Sequence, residues 1–220
     1  MNVSASYGWA SGTAPHSCHY LAPIVLERIT KLGVTRVLDV GCGNGAFCQN
    51  LKDAGFDVTG AECDEEGVRI ATQEHPDIRF FRCGVYDDPA DLLAQSGGRF
   101  DAVVSTEVVE HLFTPQLLPQ FARRVLKPGG WLLVSTPYHG YLKNLLIAAI
   151  GKWDAHHSAL WHGGHIKFWS RATLGVLLAR EGFDVVKFVG VGRLPFLWKS
   201  MLLIARLPEE SVTVVLEHKR

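Results

Sequence analysis

The sequence has no excess of either charge: its 220 residues include 22 basic and 22 acidic side chains, and the pI is about 7.1. A nucleic-acid-binding surface usually shows as a basic patch or a high pI, so we expect no nucleic-acid partner. No apolar run reaches the roughly 18 residues that a membrane-spanning helix needs. Residues 1–14 lack the basic start and apolar stretch of a secretory signal. What remains, a chain with 47% hydrophobic residues, is enough to bury the core of one domain.

Cysteine is sparse and follows no pattern. The five cysteines are odd in number, and none of them forms a C-x-x-C pair. Both features are typical of free thiols in a reducing compartment, so we expect a cytoplasmic protein. The chain also shows no internal repeat and no low-complexity segment.

Strand-like and helix-like segments alternate along most of the chain, beginning with a predicted helix at residues 23–31. This alternation predicts a doubly wound, Rossmann-like α/β sheet in a single domain, 1–220. The connection at 192–199 is too short for a crossover helix, so the last two strands should be antiparallel. The predicted strands are 34–40, 56–61, 78–82, 100–105, 131–135, 183–191 and 200–207. The end of the chain, 209–220, is either an added strand or a loose tail.

The most informative segment is a buried-strand pattern that ends in a tight glycine turn, VLDVGCGNG at 37–45. Such a turn lets the backbone approach a ligand closely, or it is an ordinary strand-to-helix turn. Asp39 lies inside the apolar strand, where a carboxylate needs donors from a ligand ammonium or from the glycine loop. Glu62 ends the next strand and is placed to hold ribose hydroxyls. These features together indicate a nucleoside-containing cofactor.

Four motifs in order give a more specific signal. VLDVGCGNG is followed by VTGAECDEEGVRIA at 58–71, FDAVVSTEVVEHL at 100–112 and RVLKPGGWLLVSTPY at 124–138. In this series the chain resembles the class I S-adenosylmethionine-dependent methyltransferases. The resemblance implies a seven-stranded sheet with an antiparallel last strand, and S-adenosyl-L-methionine as cofactor. It also implies that residues 1–22 form a lid over the cofactor, although this segment could instead be disordered.

The resemblance further implies which residues contact the cofactor. The glycine turn should border the methionine part, Glu62 the ribose, the loops after the second and third strands the adenine, and the end of the fourth strand the methyl group. At Val85 the family frequently has an acid, so the adenine amine contact here falls to a backbone carbonyl or to Asp87. The implied residues are Asp39, Gly41, Gly43, Glu62, Cys63, Gly84, Val85, Thr106 and Glu107.

Within that family, the chain is similar to ubiquinone-biosynthesis O-methyltransferases. The shared features are a Glu-Val-Val-Glu-His segment, Lys-Pro-Gly-Gly, an insert after strand five and a His-x-Lys-Phe segment at 165–168. A divalent ion is associated with such enzymes. Glu107, Glu110 and His111 are therefore the ligands if Mg²⁺ binds, and His111 and Glu107 are the candidate catalytic residues. Capping and packing of the turn is the alternative role for Glu110 and His111.

The insert at 137–167 follows strand five and should form much of the acceptor pocket. It contains a histidine cluster whose spacing matches no standard zinc site, so lining the pocket is favoured over metal binding, with plain packing as the alternative. Its members are His156, His157, His162 and His165, accompanied by Trp153 and Trp161. The apolar segments 141–153 and 194–204 suggest weak peripheral membrane contact, or packing in the core.

These observations predict methyl transfer to a small-molecule acceptor at a hydroxyl oxygen of phenol, catechol or quinone-precursor type. Transfer to nitrogen or carbon, a nicotinamide-dependent oxidoreductase and a non-enzymatic binding module are the alternatives. The oligomeric state stays open.

Overall fold

The structure is a computed structural model, and it describes residues 8–9, 11–157, 160 and 163–209. Seven strands form one sheet in these residues. They are β1 (Arg36–Val40), β2 (Asp57–Glu62), β3 (Arg79–Arg82), β4 (Phe100–Thr106), β5 (Leu126–Pro137), β6 (Asp184–Val191) and β7 (Ser200–Arg206). The helices are α1 (His16–Thr30), α2 (Ala46–Asp53), α3 (Glu65–Glu74), α4 (Ala90–Ser96), α5 (Leu117–Val125), α6 (Tyr141–Ala149), α7 (Trp153–His156) and α8 (Arg171–Arg180).

The order of the strands in the sheet is β3-β2-β1-β4-β5-β7-β6. Strands β1 to β5 pair in parallel, and β7 is antiparallel to both β5 and β6. The predicted antiparallel pair and the doubly wound α/β class are therefore confirmed. The chain order reverses between β1 and β4, and such a switch point is where open α/β sheets bind ligands, at the carboxyl ends of the strands.

Two apolar clusters cover the two faces of the sheet. In β1, Val37 belongs to one cluster, and Leu38 and Val40 belong to the other. A strand buried on both faces has no solvent side, which explains its nearly continuous apolar sequence. This packing fixes the position of the glycine turn that follows β1.

Two predicted boundaries were wrong. Helix α1 begins at His16 rather than at 23, and Pro23 lies inside it. A proline inside a helix costs roughly 3 kcal/mol, but Leu21 and Ala22 are buried in the core, and this packing outweighs the local penalty. Part of the predicted N-terminal lid is therefore helix. Strand β5 is longer than the predicted 131–135, because it begins at Leu126, directly after α5 ends at Val125, and includes the Lys-Pro-Gly-Gly segment.

No helix in the described part of the chain is both long and apolar enough to cross a bilayer. Most of the predicted tail, 210–220, and residues 1–7 and 10 of the predicted lid lie outside the described residues.

Candidate active site

The turn after β1 can be built only from glycine at its key positions. Gly41 and Gly43 have left-handed φ angles of 77° and 54°. A Cβ on Gly41 would lie 2.4 Å from a methyl of Val108, and one on Gly43 would lie 2.2 Å from the Trp9 ring. Trp9, in the N-terminal segment, therefore covers the turn. Asn44 ties the same segment down by donating to the carbonyls of residues 11 and 13 at 2.9 and 2.8 Å.

Glu62 is buried at the end of β2 and faces this turn. Its Oε2 accepts a hydrogen bond from the Gly43 N–H at 2.9 Å, and its Oε1 accepts one from the Asp64 N–H at 2.9 Å. The carboxylate thus lies directly beside the glycine backbone. This is the position at which the resemblance places a ribose.

Asp39 is 1% exposed, and the described residues leave it only partly satisfied. The Cys48 thiol donates to its Oδ2 at 3.3 Å, while Oδ1 has no hydrogen-bond partner in the described part of the chain. Burial, and to a smaller extent the charge of Glu62, raise the pKa of Asp39 to about 7 against the lowering effect of the Cys48 contact. The Cys48 contact shows that Asp39 anchors α2, and the unpaired oxygen can accept a donor from a ligand beside the turn.

The loops after β2 and β3 meet next to Glu62, whose carbonyl accepts the Cys83 N–H at 2.9 Å. A Cβ on Gly84 would lie 2.8 Å from the Cys63 Cβ, so the two loops are in close contact. Val85 is buried. The Asp87 carboxylate accepts the Gly84 N–H at 2.8 Å and so holds the loop. Thr106, at the end of β4, pairs with Ser135 of β5.

Glu107 follows β4 with a left-handed φ of 57°, a conformation that costs a non-glycine residue on the order of 1–2 kcal/mol. Its Oε1 accepts from the Ser135 hydroxyl at 2.9 Å, and its Oε2 accepts from the Ser200 hydroxyl at 3.2 Å. The Ser200 oxygen also lies 3.1 Å from the Tyr20 hydroxyl. Burial raises the pKa of Glu107 to about 7, against the lowering effect of these hydroxyls and of Lys143. A carboxyl group with such a pKa can take up a proton at neutral pH.

Glu110 and His111 lie together with His165 rather than with Glu107. One ligand atom from each of the three lies within 4.8 Å of the others. Main-chain bonds to the Glu110 carbonyl from residues 166 and 167, at 2.9 and 3.0 Å, bring the His-x-Lys-Phe segment to this place. Burial raises the pKa of Glu110 well above its usual value, and the charge of Glu107 adds to the rise. The His111 Nδ1 donates to the Gly163 carbonyl at 2.7 Å, which leaves Nε2 as its acceptor nitrogen.

A cavity of about 570 Å³ opens beside Glu107. Rings form much of its wall: His139 stacks on His157 with centroids 5.5 Å apart, and Phe168 meets His139 edge-on at 4.9 Å. Burial lowers the pKa of His139 to about 4, so this imidazole is neutral at pH 7. The lining residues are Tyr20, Glu107, Pro137, His139, Lys143, His156, His157, His165, Phe168, Arg193, Lys199 and Ser200.

The structure therefore places much of the predicted insert around this cavity. Trp153 contacts the His157 ring at 4.3 Å, while Trp161 and His162 lie outside the described residues. Sequence reasoning missed Ser200 and Tyr20, which carried no motif. It also missed Arg193 and gave Lys143 no role of its own, although unpaired cations in apolar segments were a visible signal.

The sequence and fold of this chain match those of known proteins. The methyltransferase-domain family (Methyltransf_23) matches residues 15–187. The chain belongs to this family. It is an S-adenosylmethionine-dependent methyltransferase, and this membership decides against the nicotinamide oxidoreductase alternative.

Relatives of this methyltransferase include enzymes named for ubiquinone biosynthesis. Over 171 residues it is 34% identical to the ubiquinone biosynthesis O-methyltransferase of Roseobacter denitrificans, covering 76% of this chain and 67% of the relative. It is 27% identical over 195 residues to that of Chromobacterium violaceum, covering 85% and 82%. The alignment with the Bordetella avium enzyme spans 64% of that relative's length.

Solved structures agree on the fold of the methyltransferase. Magnesium protoporphyrin IX methyltransferase from Synechocystis PCC 6803 with bound SAH superposes with a TM-score of 0.63 at 20% identity, covering 85% of this chain and 82% of that one. At this identity the likeness bears on the fold alone.

Proposed function

We propose that this chain transfers a methyl group from S-adenosyl-L-methionine to a hydroxyl oxygen of a small aromatic acceptor of phenol, catechol or quinone-precursor type. One observation carries the proposal: Glu107, a carboxyl group with a pKa of about 7, lines the ring-lined cavity, and the next residue, Val108, packs against Gly41 of the glycine turn. An aromatic hydroxyl is a weak nucleophile until its proton is removed, and a group with this pKa can remove it. The relatives named O-methyltransferases support the same class of reaction.

The cofactor supplies an activated methyl group when bound, so the chain mainly has to bind and orient. Glu62 and the Gly43 backbone hold the ribose side, and the unpaired oxygen of Asp39 receives a donor near the turn. The rings of His139 and Phe168 orient a planar acceptor in the cavity. Correct orientation of two reactants can lower a barrier by roughly 7–11 kcal/mol.

Within this proposal Glu107 is the base. The Ser135 and Ser200 hydroxyls hold its carboxylate at the cavity wall. His111 is not among the cavity-lining residues, and its Nδ1–H is committed to the Gly163 carbonyl. Its Nε2 points instead toward Glu110, 4.0 Å away. The geometry thus favours Glu107 over His111.

The trio of Glu110, His111 and His165 does not fit Mg²⁺ well. Two imidazoles and one carboxylate are a donor set for Zn²⁺, Fe²⁺ or Mn²⁺, whereas Mg²⁺ prefers oxygen ligands. Glu107, the other carboxylate suggested by the sequence, is hydrogen-bonded to Ser135 and Ser200. The proposed reaction therefore relies on Glu107 and assigns Mg²⁺ no step.

Release of S-adenosylhomocysteine in the presence of candidate acceptors tests the proposal. We expect turnover with catechol and none with 1,2-dimethoxybenzene, which offers no free hydroxyl. Thermal unfolding should show stabilisation of about 2.7 kcal/mol at S-adenosylhomocysteine concentrations of 100 times its dissociation constant, and none with NADH. Turnover with aromatic amines but not with catechols would move the reaction to nitrogen.

We also propose that α6 and the loop at 192–199 touch a membrane surface. Leu145 on α6 is 50% exposed and Phe196 in the loop is 60% exposed, and Lys152 and Arg193 lie at the same surface. Exposed apolar side chains flanked by cations are typical of contact with anionic lipid.

Co-sedimentation with phosphatidylglycerol vesicles checks this contact. Leu145→Glu and Phe196→Glu should each lower the bound fraction several-fold, because each adds a charge that opposes insertion and repels the lipid. Val176→Glu on α8 is the matched control, since Val176 is 51% exposed but lies on another helix. Equal binding by all three variants and the wild type would contradict the contact.

A further inference from the structure

Lys143 is a buried cation that forms no salt bridge with the described residues. Its side chain is 6% exposed, and its Nζ donates to the backbone carbonyls of Tyr138 and Lys199 at 2.8 and 3.4 Å. Within the described residues no carboxylate lies within ion-pair distance of it. Burying an ammonium group without an opposite charge is costly, and packed apolar side chains would be tolerated better at such a place. A negatively charged ligand would compensate the buried charge of Lys143.

Two further cations line the same cavity, Arg193 and Lys199. In the described part of the chain neither pairs with a carboxylate, and the Lys199 ammonium lies over the Tyr20 ring at 5.1 Å. Burial, and then the charge of Arg193, lower the pKa of Lys143 to about 8, so it is still mainly protonated at pH 7. Among the described residues that line this cavity, Glu107 is the only acidic one. A chain with no net charge has thus concentrated positive charge at one cavity.

The position of the cations within the cavity is informative. A second cavity of about 610 Å³ shares Lys143, His156 and Arg193 with the first. Beyond them its wall is mainly aliphatic, with Leu146, Ile150 and Leu194, and contains one further cation, Lys152. Lys143 and Arg193 therefore lie where the ring-lined cavity adjoins the mainly aliphatic one.

We infer that Lys143 and Arg193 form an anion subsite that binds a carboxylate carried on the ring of the acceptor, with any apolar substituent running into the outer cavity. The inference rests on the proposed function, because the acceptor ring is taken to lie beside Glu107. An arginine fork matches a carboxylate with two parallel hydrogen bonds, and the lysine adds a point charge where water is scarce.

The test compares 3,4-dihydroxybenzoate with 3,4-dihydroxybenzamide, which share the hydroxyls and the ring but differ in charge. The wild-type enzyme should methylate the acid with a kcat/KM at least tenfold above that of the amide. Lys143→Met and Arg193→Gln should each bring the ratio close to one, mainly through KM for the acid. Lys187→Gln is the matched control, because it removes an exposed cation of β6 that lies outside both cavities. If Lys143→Met does not fold, Arg193→Gln on the exposed loop carries the test.

Binding measurements separate this inference from the proposed reaction. Calorimetry in the presence of S-adenosylhomocysteine should show that 4-hydroxy-3-methoxybenzoate binds at least tenfold tighter than its amide, and that both variants lose this difference. That result without any turnover would support the subsite and reject the proposed O-methylation. Equal binding of acid and amide would overturn the subsite. The subsite would also be overturned if Lys143→Met and Arg193→Gln kept the preference for the acid and lost only vesicle binding. In that case the anion bound by the two cations would be a lipid phosphate. A matching loss of S-adenosylhomocysteine affinity would assign the cations to the cofactor's carboxylate and would also overturn the inference.

Discussion

Replacing Glu107 by glutamine is expected to lower kcat by a factor of about 10²–10⁴ while leaving the affinity for S-adenosylhomocysteine nearly unchanged. The amide keeps the shape of the side chain and can still meet Ser135 and Ser200, but it cannot take up the hydroxyl proton. Single-turnover methylation of catechol and calorimetry with S-adenosylhomocysteine measure the two quantities. The matched variant is His111→Gln, which removes the other candidate base.

The pH profile adds an independent readout. Because the pKa of Glu107 is about 7, kcat/KM of the wild type should rise with pH through neutrality as the carboxylate forms. Glu107→Gln should lose this rise and His111→Gln should keep it. The opposite pattern would make His111 the base and would remove Glu107 from the mechanism.

The pH dependence of stability tests the raised pKa of Glu107. A carboxyl group whose pKa is raised from its usual value of roughly 4.3 to about 7 in the folded protein is stabilising only while protonated. The free energy of unfolding should therefore fall as the pH rises from about 4.5 to about 7. Glu107→Gln avoids this loss, so at pH 8 it should be more stable than the wild type by about 1 kcal/mol or more, and at pH 4 nearly equal. Denaturant unfolding at both pH values checks this, and a variant less stable at pH 8 would contradict the raised pKa.

Local features of the sequence were sufficient to predict the sheet and the sharp glycine turn after β1. A strand such as Arg36–Val40, buried on both faces, is mostly apolar apart from Arg36 and Asp39, and the sharp turn after it requires glycine. The antiparallel pairing of β6 and β7 could be predicted from the length of their connection, because residues 192–199 are too few to hold a crossover helix. The start of α1 could not be predicted in this way, since packing of Leu21 and Ala22 overrode the signal of Pro23.

The inner wall of the site depends on contacts between distant segments. Ser200 reaches Glu107 because β7 pairs with β5 in a register that places Ser200 opposite Pro137. No spacing in the sequence encodes that register. In the same way His165 meets Glu110 through main-chain bonds made by the two residues that follow it. The sequence motifs therefore indicated which residues belong to the candidate site, but not which distant residues they contact.

The second large effect is expected at Glu62, where replacement by glutamine should weaken S-adenosylhomocysteine binding about 100-fold, or about 2.7 kcal/mol. Each hydrogen bond to a charged acceptor contributes roughly 1.5–3 kcal/mol, and glutamine offers one oxygen where Glu62 offers two. Calorimetry measures the loss. Glu66→Gln is the control, because Glu66 is exposed on α3 and pairs with Arg69.

The analogue 2′-deoxy-S-adenosylhomocysteine separates a ribose contact from a loosened turn, since Glu62 also accepts from the Gly43 and Asp64 backbone. If Glu62 binds the ribose, the wild type should prefer the natural ligand strongly and Glu62→Gln should lose most of that preference. A turn that is merely loosened would weaken both ligands by the same factor, because neither loses a specific partner. That equal loss would show that Glu62 does not bind the ribose, and it would also reject the placement of the cofactor beside Gly43.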